Sequence, residues 1–267
     1  MMSVLIVIPA RYASTRYPAK PLVSLTGATG VSKTLIRRSW DAAMAVTGVA
    51  RVVVATDDDR IRTEAEGFGA EVVMTSADCQ NGTERCADAY ARLGQPFDIV
   101  VNLQGDAPLT PAWFVEDLVN GLRADPGAEL ATPVLRCEGA MLASLRDDRY
   151  HGRVGGTTAV FGAGHRALYF SKEVIPYTPT SYLAHEPTPV FHHVGVYAYR
   201  PQTLTDYPGW PIGPLETLEG LEQLRFLENN RSVLCVEVEA RGRQFWELNN
   251  PADVPRIEEM MVAMGVE

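Results

Sequence analysis

The sequence predicts an α/β fold, a single domain with a mostly parallel, Rossmann-like sheet and a small β-rich extension. Three observations predict it. Short apolar runs alternate with helix-period segments over residues 1–135, as a parallel sheet with crossover helices requires. Beyond residue 136 the rhythm turns β-rich, in the manner of an antiparallel extension. The chain has 267 residues, 46% of them hydrophobic, enough to bury one sizeable core.

The elements follow in order. "SVLIVIPA" (3–10) is the first strand. A helix lies within "VSKTLIRRSWDAAMAV", where Leu35, Ser39, Ala43 and Val46 recur at helical spacing. "ARVVVATDDD" is a second strand whose carboxylates can cap the next helix, which carries Ile61, Ala65 and Phe68 on one face. "AEVVMTS" is a third strand, "NGTERCADAYARLG" a helix closed by Gly94, and "FDIVVNLQGDAP" a fourth strand that runs into Gln104, Gly105 and Asp106. "PAWFVEDLVNGLRAD" and "AELATPVL" add a helix and a strand. "TTAVFGAGHRALYFS" and "FHHVGVYAYRP" are β segments, and His193 and Tyr197 alternate with apolar residues on one face of a strand. "PLETLEGLEQLRFLENN" reads as one helix that sets Glu222 between Leu218 and Phe226 on a partly apolar face. "SVLCVEVEA" is a strand, and "NPADVPRIEEMMVAMG" is a closing helix with Val254, Ile257 and Met261 inward. No repeat or long linker interrupts the chain. One compact unit is expected over residues 1–267, in three stretches, 1–135, 136–240 and a closing helix in 241–267.

Composition narrows the function. With 33 acidic against 24 basic residues the formal net charge is −9, so no extended positive face is available for nucleic acid or an anionic membrane. No apolar stretch reaches the roughly 20 residues that span a bilayer, and the N-terminus lacks a basic start before its apolar run. Cys79, Cys86, Cys137 and Cys235 are scattered, which fits free thiols in a reducing cytoplasm.

Against that acidic background Arg11, Arg16 and Lys20 fall within ten residues, directly behind the first strand. Ligands of open α/β sheets sit beyond the carboxyl ends of the strands. The loop here has neither G-x-G-x-x-G nor a P-loop, which argues against a dinucleotide oxidoreductase and a P-loop NTPase. It offers side-chain cations instead. Guanidinium forks and an ammonium suit a small polyanion such as a nucleoside triphosphate. Pro9, Pro18 and Pro21 stiffen the loop, so less entropy is lost on closing around a ligand.

"IPARYASTRYPAKPL" resembles the opening motif of the CMP-Kdo synthetases, the 3-deoxy-manno-octulosonate (Kdo) cytidylyltransferases. "VVVATDD", "NGTER", "VNLQGDAP", "ALYFSKEVIPY", "HHVGVYAYR", "GPLETLEGLEQLR" and "NNPADVPRIEE" follow in the same order and span nearly the whole chain. The resemblance implies a cytoplasmic homodimer that forms CMP-Kdo and pyrophosphate from CTP and Kdo with Mg²⁺, on the route to lipopolysaccharide. By position it implies that Arg11, Ser14, Arg16 and Lys20, at the end of the strand closed by Ala10, hold the triphosphate. Gly82, Thr83 and Arg85 would help bind the nucleotide, and Gln104 would contact substrate or nucleotide. Asp106 would be the magnesium carboxylate, and His193, Tyr197, Glu222 and Gln223 would line the sugar-acid pocket. The catalytic set is then Arg11, Arg16, Lys20 and Asp106, with the cations expected to face the carboxylate. Catalysis by positioning and charge stabilisation needs no covalent intermediate, and no Ser-His-Asp or Cys-His arrangement is evident.

The chain departs from the family pattern in places. Ala107 stands where the family's Q-G-D-E-P has glutamate. Asn249 stands where a second metal carboxylate is expected, and an amide oxygen can ligate Mg²⁺ but adds no negative charge. "RYHGRVGGTTAVF" is only loosely similar to the family's stretch. These differences leave room for a relative of Kdo, a different small acidic acceptor, or a catalytically impaired CTP-binding paralogue.

Overall fold

The computed structural model describes residues 3–13, 17–106, 108–154, 156–178, 181–243, 246–248 and 250–267. Its contacts divide the chain into two units: residues 1–116, 199–208 and 240–267 form the first, and residues 117–198 and 209–239 the second.

The first unit is built on parallel strands. In chain order it holds β1 (Val4–Ala10), a 3₁₀ turn (Lys20–Leu22), a short hairpin of β2 (Ser24–Thr26) and β3 (Ser32–Thr34), then α1 (Leu35–Met44), β4 (Arg51–Thr56), α2 (Asp59–Gly67), β5 (Val72–Met74), α3 (Gly82–Leu93) and β6 (Ile99–Leu103). The sheet runs β5-β4-β1-β6, with every neighbour parallel. β1 is its centre, and Leu5, Ile6, Val7 and Ile8 are wholly buried because helices cover both faces. Leu35, Ser39 and Ala43 turn inward on α1, as their spacing predicts, and Val46 is buried just beyond its end. Asp58 caps α2 by accepting the Arg60 N–H, and Asn81 caps α3 by accepting from Glu84. Gly94 ends α3 in the left-handed region at φ 59°.

The next helix is α4 (Ala112–Ala124), where the chain passes to the second unit. That unit contains β7 (Leu130–Glu138), α5 (Gly139–Tyr150), β8 (Thr157–Phe161), β9 (Ala167–Ser171), β10 (Pro187–His193) and all but the last residue of β11 (Val196–Tyr199). The β-rich expectation holds: β7, β10, β8 and β9 pair antiparallel in succession. After α6 (Pro201–Asp206) come α7 (Pro214–Glu219), α8 (Leu224–Glu228) and β12 (Val233–Glu237), which pairs parallel with β7. The last helix is α9 (Asp253–Met264), whose Ile257 and Met261 join Leu25, Leu35, Leu109 and Leu248 in a buried cluster of the first unit. The fold class is α/β, as expected.

Two expectations about elements are corrected. The segment 214–230 is two helices, because Gly220 at φ 60° ends α7 and the chain turns before α8. Glu222 therefore lies in a turn, and Leu218 is exposed. His193 and Tyr197 belong to two strands, β10 and β11, rather than to one. The β2–β3 hairpin, α5 and α6 were not anticipated. The hairpin strands are too short to show a period, and α5 buries only Gly139, Leu142 and Leu145.

Candidate active site

In the first unit the candidate residues gather where β1 and β6 end. Ala10, the last residue of β1, is buried, and Arg11 behind it is exposed. The chain returns through Ala19, which takes a left-handed conformation at φ 59°, and enters the 3₁₀ turn at Lys20. Lys20 Nζ donates to Asp106 Oδ2 at 2.8 Å, with 17% and 23% of the two side chains exposed. The cation and the carboxylate therefore meet directly.

The loop after β6 is held close for this. A Cβ on Gly105 would stand 3.0 Å from the Pro9 carbonyl oxygen, so glycine is needed where that loop crosses the end of β1. The Gly105 carbonyl accepts from Ser39 Oγ at 3.2 Å, and the Asp106 carbonyl accepts from the Leu248 N–H at 2.9 Å. Gln104 is half-buried beside them. Among the described residues no group of three or more His, Cys, Asp or Glu side chains is arranged to hold a metal ion. A single carboxylate such as Asp106 still fits Mg²⁺, which takes its other oxygens from phosphate and water.

Gly82, Thr83 and Arg85 form the first turn of α3. Thr83 is buried, and its hydroxyl lies 2.8 Å from that of Tyr199. Arg85 is 3% exposed; its Nη1 donates to Thr75 Oγ1 at 2.6 Å and stands 3.3 Å from Asp57 Oδ1. These bonds tie the N-terminus of α3 to the loops that follow β4 and β5.

The candidate acid-binding residues lie in the second unit. His193 is buried, and its ring is 5.7 Å from that of Tyr197. The Thr132 hydroxyl donates to the Val196 carbonyl at 2.9 Å, so it accepts from His193 Nε2–H at 2.8 Å, which sets the neutral tautomer. Burial, reinforced by neighbouring His192, pushes the His193 pKa down to about 3. Tyr197 OH donates to Gln223 Oε1 at 3.2 Å, and the buried Gln223 Nε2 has no hydrogen-bond partner among the described residues. Such an orphaned donor is what a polar ligand satisfies. Glu222 is half-buried in the turn before Gln223.

Ser14, Arg16 and Asn249 lie outside the described residues, as does Ala107. Two groups escaped the sequence reading. Glu219 accepts from Ser171 Oγ at 2.6 Å and from the Lys172 N–H at 2.9 Å, gripping the end of β9. Arg60 stacks on Tyr12. No spacing rule links residues so far apart in the chain.

Comparisons with known proteins show what the whole chain is similar to. A family model described as cytidylyltransferase matches residues 5–233. A 3-deoxy-manno-octulosonate cytidylyltransferase from Maricaulis maris is 46% identical over 264 residues, covering 99% of each chain. An 8-amino-3,8-dideoxy-manno-octulosonate cytidylyltransferase from a Shewanella species is 36% identical over 264 residues, covering 98% of this chain and 100% of its own. A solved structure of CMP:2-keto-3-deoxy-manno-octonic acid synthetase complexed with CTP superposes with a TM-score of 0.81 at 33% identity, covering 98% of this chain and 99% of the other. With its basic loop, its Lys20–Asp106 pair and this full-length likeness, the chain belongs to the cytidylyltransferase family, among the CMP-Kdo synthetases.

Proposed function

We propose that this chain transfers CMP from CTP to a hydroxyl of a 2-keto-3-deoxy sugar acid, Kdo or a close relative, and releases pyrophosphate. The observation that carries the reading is the Lys20–Asp106 contact at the carboxyl ends of β1 and β6, where α/β sheets bind their ligands. The likeness of the whole chain to enzymes named for this reaction supports the choice of nucleotide and acid.

Arg11 and Lys20, with Ser14 and Arg16, grip the β- and γ-phosphates and take up the charge that builds on the departing pyrophosphate. Gly82, Thr83, Arg85 and Gln104 orient the nucleotide. His193, Tyr197, Glu222 and Gln223 hold the acid, whose hydroxyl attacks the α-phosphorus in line. Asp106, with Asn249, would hold Mg²⁺, which when bound neutralises phosphate charge. Residues 1–267 act as one nucleotidyltransferase domain in a cytoplasmic homodimer, on the route to lipopolysaccharide.

Thermal-shift titration with the four nucleoside triphosphates and Mg²⁺, followed by an acceptor panel scored by pyrophosphate release, tests the reading. A melting shift specific to CTP and turnover with Kdo or its 8-amino relative are expected. Indifference to CTP refutes it. Asn249 in place of a carboxylate favours a second reading, that of an impaired paralogue, which CTP binding without turnover on any acceptor would establish.

A further inference from the structure

The basic loop is closed at its neck. The Ala19 N–H donates to the Tyr12 carbonyl at 3.0 Å, which joins Tyr12 to Ala19. Arg11 immediately precedes this bridge and Lys20 immediately follows it. Where the neck is placed, both cations are placed.

A side chain from another element reaches the neck. The Arg60 guanidinium carbon lies 3.3 Å from the centroid of the Tyr12 ring. Arg60 is itself held by Asp58, which accepts from its Nε at 3.0 Å and its Nη2 at 2.6 Å. The same carboxylate caps α2 by accepting the Arg60 backbone N–H at 2.9 Å. Arg60 is exposed, and an exposed arginine ordinarily wanders among rotamers. This one is locked by a bidentate bond below it and presents its face to an aromatic ring above. The chain continues the tie one residue earlier, where Asp57 pairs with Arg85.

We propose that Arg60 is a positioning residue for the nucleotide: through Tyr12 it pins the neck of the basic loop, so that Arg11 and Lys20 meet the triphosphate already in place. The proposal rests on the reading that this loop binds a nucleoside triphosphate. A stack between part-exposed side chains adds little to global stability. Its effect belongs in nucleotide affinity, because a loop ordered beforehand loses less entropy on binding.

The test is calorimetric titration of the full chain with CTP, with KM measured separately for CTP and for the acid. Arg60→Ala is expected to weaken CTP binding about two- to fivefold, the range of an exposed cation–π contact. Melting temperature, kcat and the KM of the acid stay near wild type. Tyr12→Phe, which keeps the ring, matches wild type, and Tyr12→Ala matches Arg60→Ala. The double variant is no worse than either single one, since both remove the same contact. Asp58→Asn, which keeps the helix cap but loses the charge that holds Arg60, weakens CTP binding in the same direction. If Tyr12→Ala does not fold, Arg60→Ala, Asp58→Asn and Tyr12→Phe still decide. Wild-type binding with Arg60→Ala unchanged overturns the strut alone, and so do additive losses in the double variant or an equal rise in the KM of the acid. A wild-type chain that ignores CTP overturns the functional reading as well.

Discussion

Lys20 and Asp106, 86 residues apart in the chain, are joined at 2.8 Å between Nζ and Oδ2. The pair places a cation that can follow phosphate oxygens beside a carboxylate that can hold Mg²⁺. Lys20→Ala is expected to lower pyrophosphate release by about 10²–10³-fold, the usual cost of losing one preorganised charge at a reacting centre. A part-exposed ion pair contributes on the order of 1 kcal/mol, so the melting temperature should fall by only a few degrees. Asp106→Asn should lose comparable activity on the same folded chain. Near-normal turnover in either variant would remove this pair from catalysis.

Gly105 makes that meeting possible. Alanine would bring a Cβ within 3.0 Å of the Pro9 carbonyl oxygen, and backbone cannot give way as a side chain does. Gly105→Ala should lower stability by about 1–3 kcal/mol, the range for overpacking a tight contact, and should lower turnover with it as Asp106 shifts. Denaturant unfolding and pyrophosphate release on the same preparation check both. A variant with wild-type stability and rate would show that the loop has slack.

Arg225 and Glu216 form a buried ion pair, with 1% and 8% of each residue exposed and bonds of 2.7 and 2.8 Å. It links α8 to α7 across the break at Gly220. Glu216→Ala takes the carboxylate away from the buried guanidinium, and a loss of about 3–5 kcal/mol in urea unfolding is expected. Replacing both partners with apolar residues of similar volume, as in Glu216→Leu with Arg225→Met, should recover most of that loss.

His193 and His192 set a pH dependence. Burial depresses their pKa values to about 3 and about 4, from an ordinary 6.5. Below pH 6.5 the unfolded chain takes up these protons while the folded chain refuses them, so stability falls as the pH drops through that window. Each histidine can contribute up to about 1.4 kcal/mol per pH unit there. Urea midpoints measured from pH 7.5 to 5 should decline, and His193→Gln should flatten the decline. An equally steep curve in that variant would assign the effect elsewhere.

The legible parts of the fold were those with a strong local signal. β1 and β6 are apolar runs that end at polar residues, Asp58 and Asn81 occupy cap positions, and Gly94 ends its helix in the conformation that glycine favours. Less legible was the helix read through "LETLEGLEQLR". Its apolar spacing suited a single helix, but Gly220 adopts a left-handed conformation and the Glu216–Arg225 pair forms across the turn instead. His193 and Tyr197 were expected on one face of a single strand; they lie on successive strands with their rings 5.7 Å apart.

By itself the sequence determined the α/β class, the order of the main elements, and the family, because periodicity, caps and motif order are properties of neighbouring residues. Only the tertiary structure decided that Lys20 rests on Asp106, that the His193 ring is held neutral against Thr132, and that Arg60 lies on Tyr12. These are contacts between residues distant in the chain. In the first unit the parallel strands bring loop ends together, and in the second the antiparallel pairing of β7 with β10 sets Thr132 beside His193; a linear pattern carries no record of which side chains then fall within reach.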